Sequence, residues 1–295
     1  MTGRFLTGEE LSRDQLAAML DRALALKNGR GQEAREALLG KSVALVFERP
    51  STRTRISFEV AVAEMGGTPL VLRGDELQLS RGESVADTAR VLSRYVEAIV
   101  IRAGSHDAVV ELSEHAAVPV INGLTPAHHP CQALADLLTL KERFGGLDGL
   151  VLTYVGDGNN VARSLALLGR TAGVEVRVSS PEGYRLEPGL AAVDTGDPHQ
   201  AATGADAVYT DMWVSMGDES EAARRRADLA PYQVNAELLA GASERAIVLH
   251  CLPAHPGEEI TEEVLYGERS AVWDQAENRL HAQKALLERL LSAPA

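Results

Sequence analysis

The chain has 295 residues, with 42 acidic side chains against 29 basic ones and a formal net charge of −13. A surface this acidic repels polyanions, which argues against nucleic acid and anionic membrane as partners. Apolar residues at 45% and charged residues at 24% are ordinary for a globular protein and argue against disorder.

The N-terminal stretch MTGRFLTGEELSRDQ lacks the apolar core of a secretory leader, so a cytoplasmic protein is expected. Residues 8–28 read as a helix, with Thr7 and Glu10 at capping-box spacing. A buried strand is predicted at 42–47, a helix at 52–65 and a strand at 69–72. A helix at 84–94, a strand at 98–102, a helix at 106–116 and a strand at 119–122 follow. Residues 130–144 carry a strong helical pattern, with Pro130 in the first turn and Gly145-Gly146 at its end. A second series has a strand at 150–155, a helix at 159–171 and strands at 174–179, 207–210 and 246–251. Residues 181–200, rich in Gly, Pro and Asp, read as a loop, and 275–291 as a terminal helix. No uncharged apolar run reaches the ~18 residues of a membrane span.

This alternation predicts an α/β protein of two doubly wound parallel-sheet domains, joined through the 130–144 helix, with an active-site cleft between them. Two cysteines, Cys131 and Cys251, cannot form a disulfide scaffold and suit a reducing compartment. Lysine occurs only at 27, 41, 141 and 284, the other cations being arginine. Base composition or a need for bidentate anion binding would account for that bias, and composition alone does not choose between them.

Ligands of open α/β sheets bind beyond the C-terminal strand ends, so chemistry is sought there. Gly40-Lys41-Ser42 resembles the end of a phosphate-binding loop, but Arg35 stands where its first glycine is required, and a turn is the better reading. After the 42–47 strand come Ser51, Thr52, Arg53, Thr54 and Arg55, at a helix start where free N–H groups and the dipole favour an anion. One hydroxyl suffices to cap a helix. Three hydroxyls and two arginines together point to phosphate. Arg102 closes a buried strand, where an arginine needs an anionic partner. His129 and Gln132 sit at the start of the 130–144 helix. Gly156-Asp157-Gly158-Asn159-Asn160 follows a strand, as in a dinucleotide site. Val161 occupies the third glycine position, and no matching acidic residue follows, so a nucleotide-dependent dehydrogenase is disfavoured. The loop from Asp211 to Gly217 holds Trp213 and Met216 and reads as a lid. His129, Cys131, His250, Cys251 and His255 lack metal-ligand spacing, and no metal is expected.

Ser51-Thr52-Arg53-Thr54-Arg55, then Ser57-Phe58-Glu59, resembles the carbamoyl phosphate loop of the aspartate/ornithine carbamoyltransferase family. His129-Pro130-Cys131-Gln132 is similar to that family's His-Pro-x-Gln motif. The segment Asp211 to Gly217 and His250-Cys251-Leu252-Pro253 resemble the ornithine branch. The resemblance implies domains at 1–129 plus 278–295, for carbamoyl phosphate, and at 130–277, for ornithine. It implies transfer of the carbamoyl group of carbamoyl phosphate to the side-chain amine of L-ornithine, giving L-citrulline and phosphate in arginine biosynthesis. A sister activity on putrescine or an acylated ornithine is the nearest alternative. The implied carbamoyl phosphate set is Ser51, Thr52, Arg53, Thr54, Arg102, His129, Gln132, Cys251, Leu252 and Arg279. The implied ornithine set is Leu124, Asn160, Asp211, Ser215 and Met216, with Arg102, His129, Asp211 and Cys251 catalytic. No cofactor is implied, carbamoyl phosphate being already activated, and assembly as a homotrimer or stacked trimers is expected. The polar loop 78–83 is a candidate contributor to a neighbouring subunit's site, and the 181–200 region looks short for the family.

Overall fold

Buried apolar runs alternating with amphipathic stretches dictate the architecture of the computed structural model, which describes residues 3–74, 76, 82–215 and 219–292. The first series is β1 (Arg4–Phe5), α1 (Arg13–Asn28), β2 (Ser42–Phe47), α2 (Thr52–Glu64), β3 (Thr68–Arg73), α3 (Val85–Leu92), β4 (Ala98–Arg102), α4 (His106–His115), β5 (Val120–Leu124) and α5 (Pro130–Phe144). The second is β6 (Val151–Val155), α6 (Asn160–Ala172), β7 (Glu175–Ser179), β8 (Val193–Thr195), α7 (Pro198–Ala202), β9 (Ala207–Thr210), α8 (Ala222–Leu229), α9 (Ala236–Ala240), β10 (Ile247–His250), α10 (Glu262–Leu265) and α11 (Val272–Ser292).

The strands form two five-stranded parallel sheets flanked by helices, in the orders β1-β5-β4-β2-β3 and β10-β9-β6-β7-β8. Parallel sheets covered on both faces need continuous apolar strands. Val43 to Phe47 of β2 and Ala98 to Ile101 of β4 are accordingly all buried. One cluster packs Ala44, Val46, Ile99 and Ile101 beneath Val109 and Leu112 of α4. Another packs Val155, Val208 and Val248 beneath Leu238, Val264 and Val272. A truncation such as Leu45→Ala in the first sheet costs about 2–5 kcal/mol.

The chain divides into two compact units, one of Met1–Leu138 with Asn278–Ala295 and one of Thr139–Glu277. Both crossings fall inside helices, α5 and α11. Polar anchors explain why the end of the chain returns to the first unit. Lys27 Nζ donates to Asn278 Oδ1 at 2.9 Å, and Arg22 grips both carboxylate oxygens of Glu288 at 2.6 and 2.8 Å. Lys41 Nζ donates to the Leu291 carbonyl at 2.8 Å, and buried Lys284 pairs with Glu64.

Three local expectations are corrected. The first helix starts at Arg13, capped by the reciprocal Ser12–Gln15 pair. Glu10 instead folds back onto the N–H groups of Leu6, Thr7 and Gly8 and closes a turn. The stretch 181–200 contains β8 and the start of α7, capped by Asp197. The terminal helix begins at Val272, which puts Glu277, Asn278 and Arg279 in its second turn. In the polar loop at 78–83, residues 78–81 lie outside the described residues.

Candidate active site

In the first unit the C-terminal ends of β2 and β4 and the starts of α2 and α5 deliver one cationic cluster. Ser51 stands at the N-cap of α2, but its hydroxyl makes no capping bond to the helix. It accepts from Arg102 Nη1 at 2.8 Å instead. In α1, α3, α4 and α6 a Ser or Asn side chain takes up the first amides. At α2 no side-chain cap occupies them, the arrangement an anion exploits.

Arg279 is 3% exposed and ties the cluster together. Its Nη2 donates to Thr54 Oγ1 at 2.8 Å, and its Nη1 donates to Gln132 Oε1. The same Nη1 lies 3.4 Å from His129 Nε2. A guanidinium has only donors, so Nε2 faces it as an acceptor and the ring proton sits on Nδ1. Burial, then Arg279, Arg102 and Arg53, hold the His129 pKa well below its ordinary value, so the ring is neutral. An imidazole meant to polarise a carbonyl by donating a hydrogen bond therefore does so from Nδ1 in this arrangement.

Burial, then the charges of Arg279, Arg53 and Arg49, lowers the Arg102 pKa to about 10. Its buried Nε has no partner among the described residues. Crowded cations, an open donor and uncapped amides make a site short of negative charge. Thr52 and Arg53 lie exposed on the first turn of α2. Leu124, expected among the ornithine residues, ends β5 in register with Arg102 in the first unit. Cys131, behind the cluster, donates to the Asn122 carbonyl at 3.4 Å, and burial pushes its thiol up to about 12. It is an inert core residue.

In the second unit the C-terminal ends of adjacent β6, β9 and β10 bring three groups together. Asp211 accepts from Asn159 Nδ2 at 3.0 Å and, through Oδ1, from Met212 N–H at 2.8 Å and Cys251 Sγ at 2.9 Å. Asn159 also caps α6 through the N–H groups of Val161 and Ala162. Sequence reasoning chose Asn160, which opens α6. The bond to the Asp211 carboxylate comes from its neighbour Asn159, and only the fold reveals that. Burial, then Asp211, Asp157 and Cys251, push the hydroxyl of Tyr154 far above its ordinary pKa.

The glycines of the 156–160 turn have a structural reason. Gly156 has φ +134°, and Gly158 donates to the Tyr184 carbonyl at 2.7 Å. A Cβ on Gly158 would lie 2.5 Å from that carbonyl oxygen. Close backbone approach therefore accounts for Gly-x-Gly without a dinucleotide.

Trp213, expected in a lid, is 5% exposed and so belongs to the interior. Its carbonyl accepts from Arg225 Nε at 2.6 Å, and Arg225 also pairs with Asp157. Ser215 is half-buried, and Met216 lies outside the described residues.

Asp211, His250 and Cys251 offer atoms within 4.8 Å of one another that suit a metal. The imidazole is already engaged at both nitrogens. His250 Nδ1 accepts from Leu252 N–H at 2.9 Å, and Nε2 lies 3.1 Å from Glu259 Oε1. Only Asp211 and Cys251 retain ligand capacity, too few for a structural zinc. Burial alone would raise the Glu259 carboxyl. The bonds from His250 and the His255 N–H hold it below the usual range. This pair shapes the turn in which Leu252 takes φ +59° before a cis Pro253.

Residues 4–142 match the family model described as the carbamoyl-P binding domain of aspartate/ornithine carbamoyltransferase, and residues 148–290 match its Asp/Orn binding domain. An ornithine carbamoyltransferase of Acidothermus cellulolyticus is 55% identical over 99% of this chain and 98% of its own length. One from Symbiobacterium thermophilum is 52% identical over 98% and 97%. The solved ornithine carbamoyltransferase of Pyrococcus furiosus superposes with a TM-score of 0.95 at 44% identity, covering 100% of this chain and 98% of that one. That of Thermus thermophilus gives 0.91 at 47% identity, covering 98% of each.

Proposed function

The chain belongs to the aspartate/ornithine carbamoyltransferase family and transfers the carbamoyl group of carbamoyl phosphate to L-ornithine, and from that premise we propose how its residues divide the reaction. Ser51, Thr52, Arg53 and Thr54, with the amides of α2, take the phosphate. Arg102, His129, Gln132 and Arg279 take the carbamoyl group. The observation that carries this reading is the uncapped, anion-deficient start of α2 beside half-buried Arg102 and buried Arg279. Donors fixed in a water-poor site stabilise oxyanion charge as it develops, without reorganising during the reaction.

Asn160, Asp211, Ser215 and Met216, with Leu124, orient ornithine, and Cys251 and Leu252 line the reacting carbon. The nucleophile is the neutral side-chain amine, although free alkylamines have a pKa of ~10.4. Asp211 and the Cys251 thiol, joined at 2.9 Å, position that amine once it has lost its proton. The amine nitrogen attacks the carbamoyl carbon, the bond from carbon to the phosphate oxygen breaks, and phosphate leaves carrying the displaced electron pair. The second amine proton passes to the departing phosphate, which its new electron pair has made basic, leaving the neutral ureido group of citrulline.

We assign the first unit to carbamoyl phosphate and the second to ornithine, in a homotrimer serving arginine biosynthesis in the cytoplasm. Free Cys131 and Cys251 suit a reducing compartment. Citrulline formation under an amine panel tests the substrate assignment. Turnover with ornithine is expected to exceed that with putrescine and acylated ornithine by at least ~10²-fold, the range of specificity set by buried polar contacts. Equal rates would overturn it. Light scattering reads the assembly, where a monomer would contradict the trimer.

A further inference from the structure

One buried charge is left without a role in this chemistry. Asp136 is 0% exposed, in the middle of α5 and set among Leu134, Ala135, Leu137 and Leu138, all buried apolar residues. A carboxylate there is costly to bury, and an apolar residue would pack without that penalty. One helical turn separates it from Gln132, whose Nε2 donates to Asp136 Oδ1 at 2.8 Å. The other end of the same amide, Oε1, accepts from Arg279 Nη1.

The two partners have opposite and exclusive chemistry. A guanidinium can only donate, and a carboxylate can only accept. Each end of the Gln132 amide is therefore dictated, and the group cannot flip without facing donor with donor and acceptor with acceptor. We propose that Asp136 is a positioning residue for carbamoyl transfer, holding the Gln132 amide in the one orientation that leaves its second Nε2 hydrogen available to substrate. It touches no substrate and acts through Gln132. The proposal rests on the assignment of Gln132 to the carbamoyl phosphate site.

Removing the acceptor leaves the amide held at its Oε1 end alone and its Nε2 end unfixed, and misplacement of a substrate-holding group by about 1 Å can cost ~10²-fold in rate. Asp136→Ala is expected to lower kcat/KM for carbamoyl phosphate by ~10- to 100-fold, with KM for ornithine unchanged. Asp136→Asn keeps an acceptor oxygen in place and is expected to restore activity to within about fivefold of the parent, since a neutral hydrogen bond replaces a charge-assisted one.

The deciding test is a double-mutant cycle with Gln132→Ala. A residue acting only through Gln132 has nothing left to do once that side chain is gone, so its effect falls to less than about twofold in that background. A purely structural defect would multiply instead. Additive losses, or a loss falling on KM for ornithine, would overturn the proposal. If Asp136→Ala does not fold, Asp136→Ser, too short to reach Nε2, is read in the same cycle by the same criteria. Gln132→Ala alone reads the underlying assignment. Unchanged kinetics in that single variant would remove Gln132 from the substrate site, whereas an impaired Gln132→Ala with additive cycles removes only the role of Asp136.

Discussion

The two units carry opposite electrostatic problems at the same place in the fold, the C-terminal edge of a parallel sheet. In the first unit Arg53, Arg102 and Arg279 crowd together until burial and mutual repulsion bring Arg102 down to about 10 and hold His129 neutral. In the second, Asp211 gathers Asn159, Cys251 and a backbone N–H, and its charge helps push Tyr154 up. One edge lacks an anion, while the other presents a carboxylate with donors on both oxygens. A net charge of −13 describes neither, because the sign of a site is set by a few buried groups.

The largest effect should come from breaking the cationic side. Arg279→Ala removes donors to Thr54 and Gln132 at once. It is expected to lower kcat/KM for carbamoyl phosphate by ~10³-fold, at the upper end for loss of one preorganised donor group. Steady-state kinetics with ornithine saturating would show it. Asp211→Asn should cost ~10²-fold in kcat/KM for ornithine, the scale of a lost acid-base or positioning group. If carbamoyl phosphate parameters moved equally, the division of labour would fail.

A pH titration sharpens the contrast. Arg102, whose Nη1 holds Ser51 of the phosphate set, loses its charge as pH rises through about 10, below the ordinary arginine value, so phosphate binding to the free protein should weaken from there upward. His129 is already neutral, so no step belonging to it should appear between about pH 6 and 8, around the ordinary histidine value. Calorimetric phosphate titration across pH checks both.

The effect of Glu259 falls on stability. Its folded pKa is lowered, so its contribution is fully present above the ordinary glutamate range and is lost as pH falls through the folded value. Glu259→Gln weakens the hold on His250 and the His255 N–H and should cost about 1–3 kcal/mol near neutral pH, read by denaturant unfolding. The smallest expected change is none: dialysis against a chelator should leave turnover intact, because both nitrogens of His250 are engaged.

The sheets were legible because their strands are uninterrupted apolar runs, as in 42–47 and 98–102. The start of the first helix was misread because Thr7 and Glu10 mimic a capping pair, while Ser12 and Gln15 do the capping. β8 escaped because a three-residue strand with two exposed side chains carries no periodicity. The polar cluster at the start of α2 was visible in its density of hydroxyls and arginines. Asn159 and Glu259 were not, because their partners lie elsewhere in the chain and only folding brings them within 3.1 Å. Asp136 stood at readable i+4 spacing from Gln132, but the bond to Arg279 that gives that spacing meaning spans 147 residues.

The division between the two edges is tested most directly by calorimetric binding of inorganic phosphate to Arg53→Ala and Asp211→Asn side by side. Asp211→Asn should bind with the parent affinity to within about twofold. Arg53→Ala should bind at least ~10-fold more weakly, as expected for losing a charge-assisted contact to the anion. Equal weakening in both variants would contradict the account.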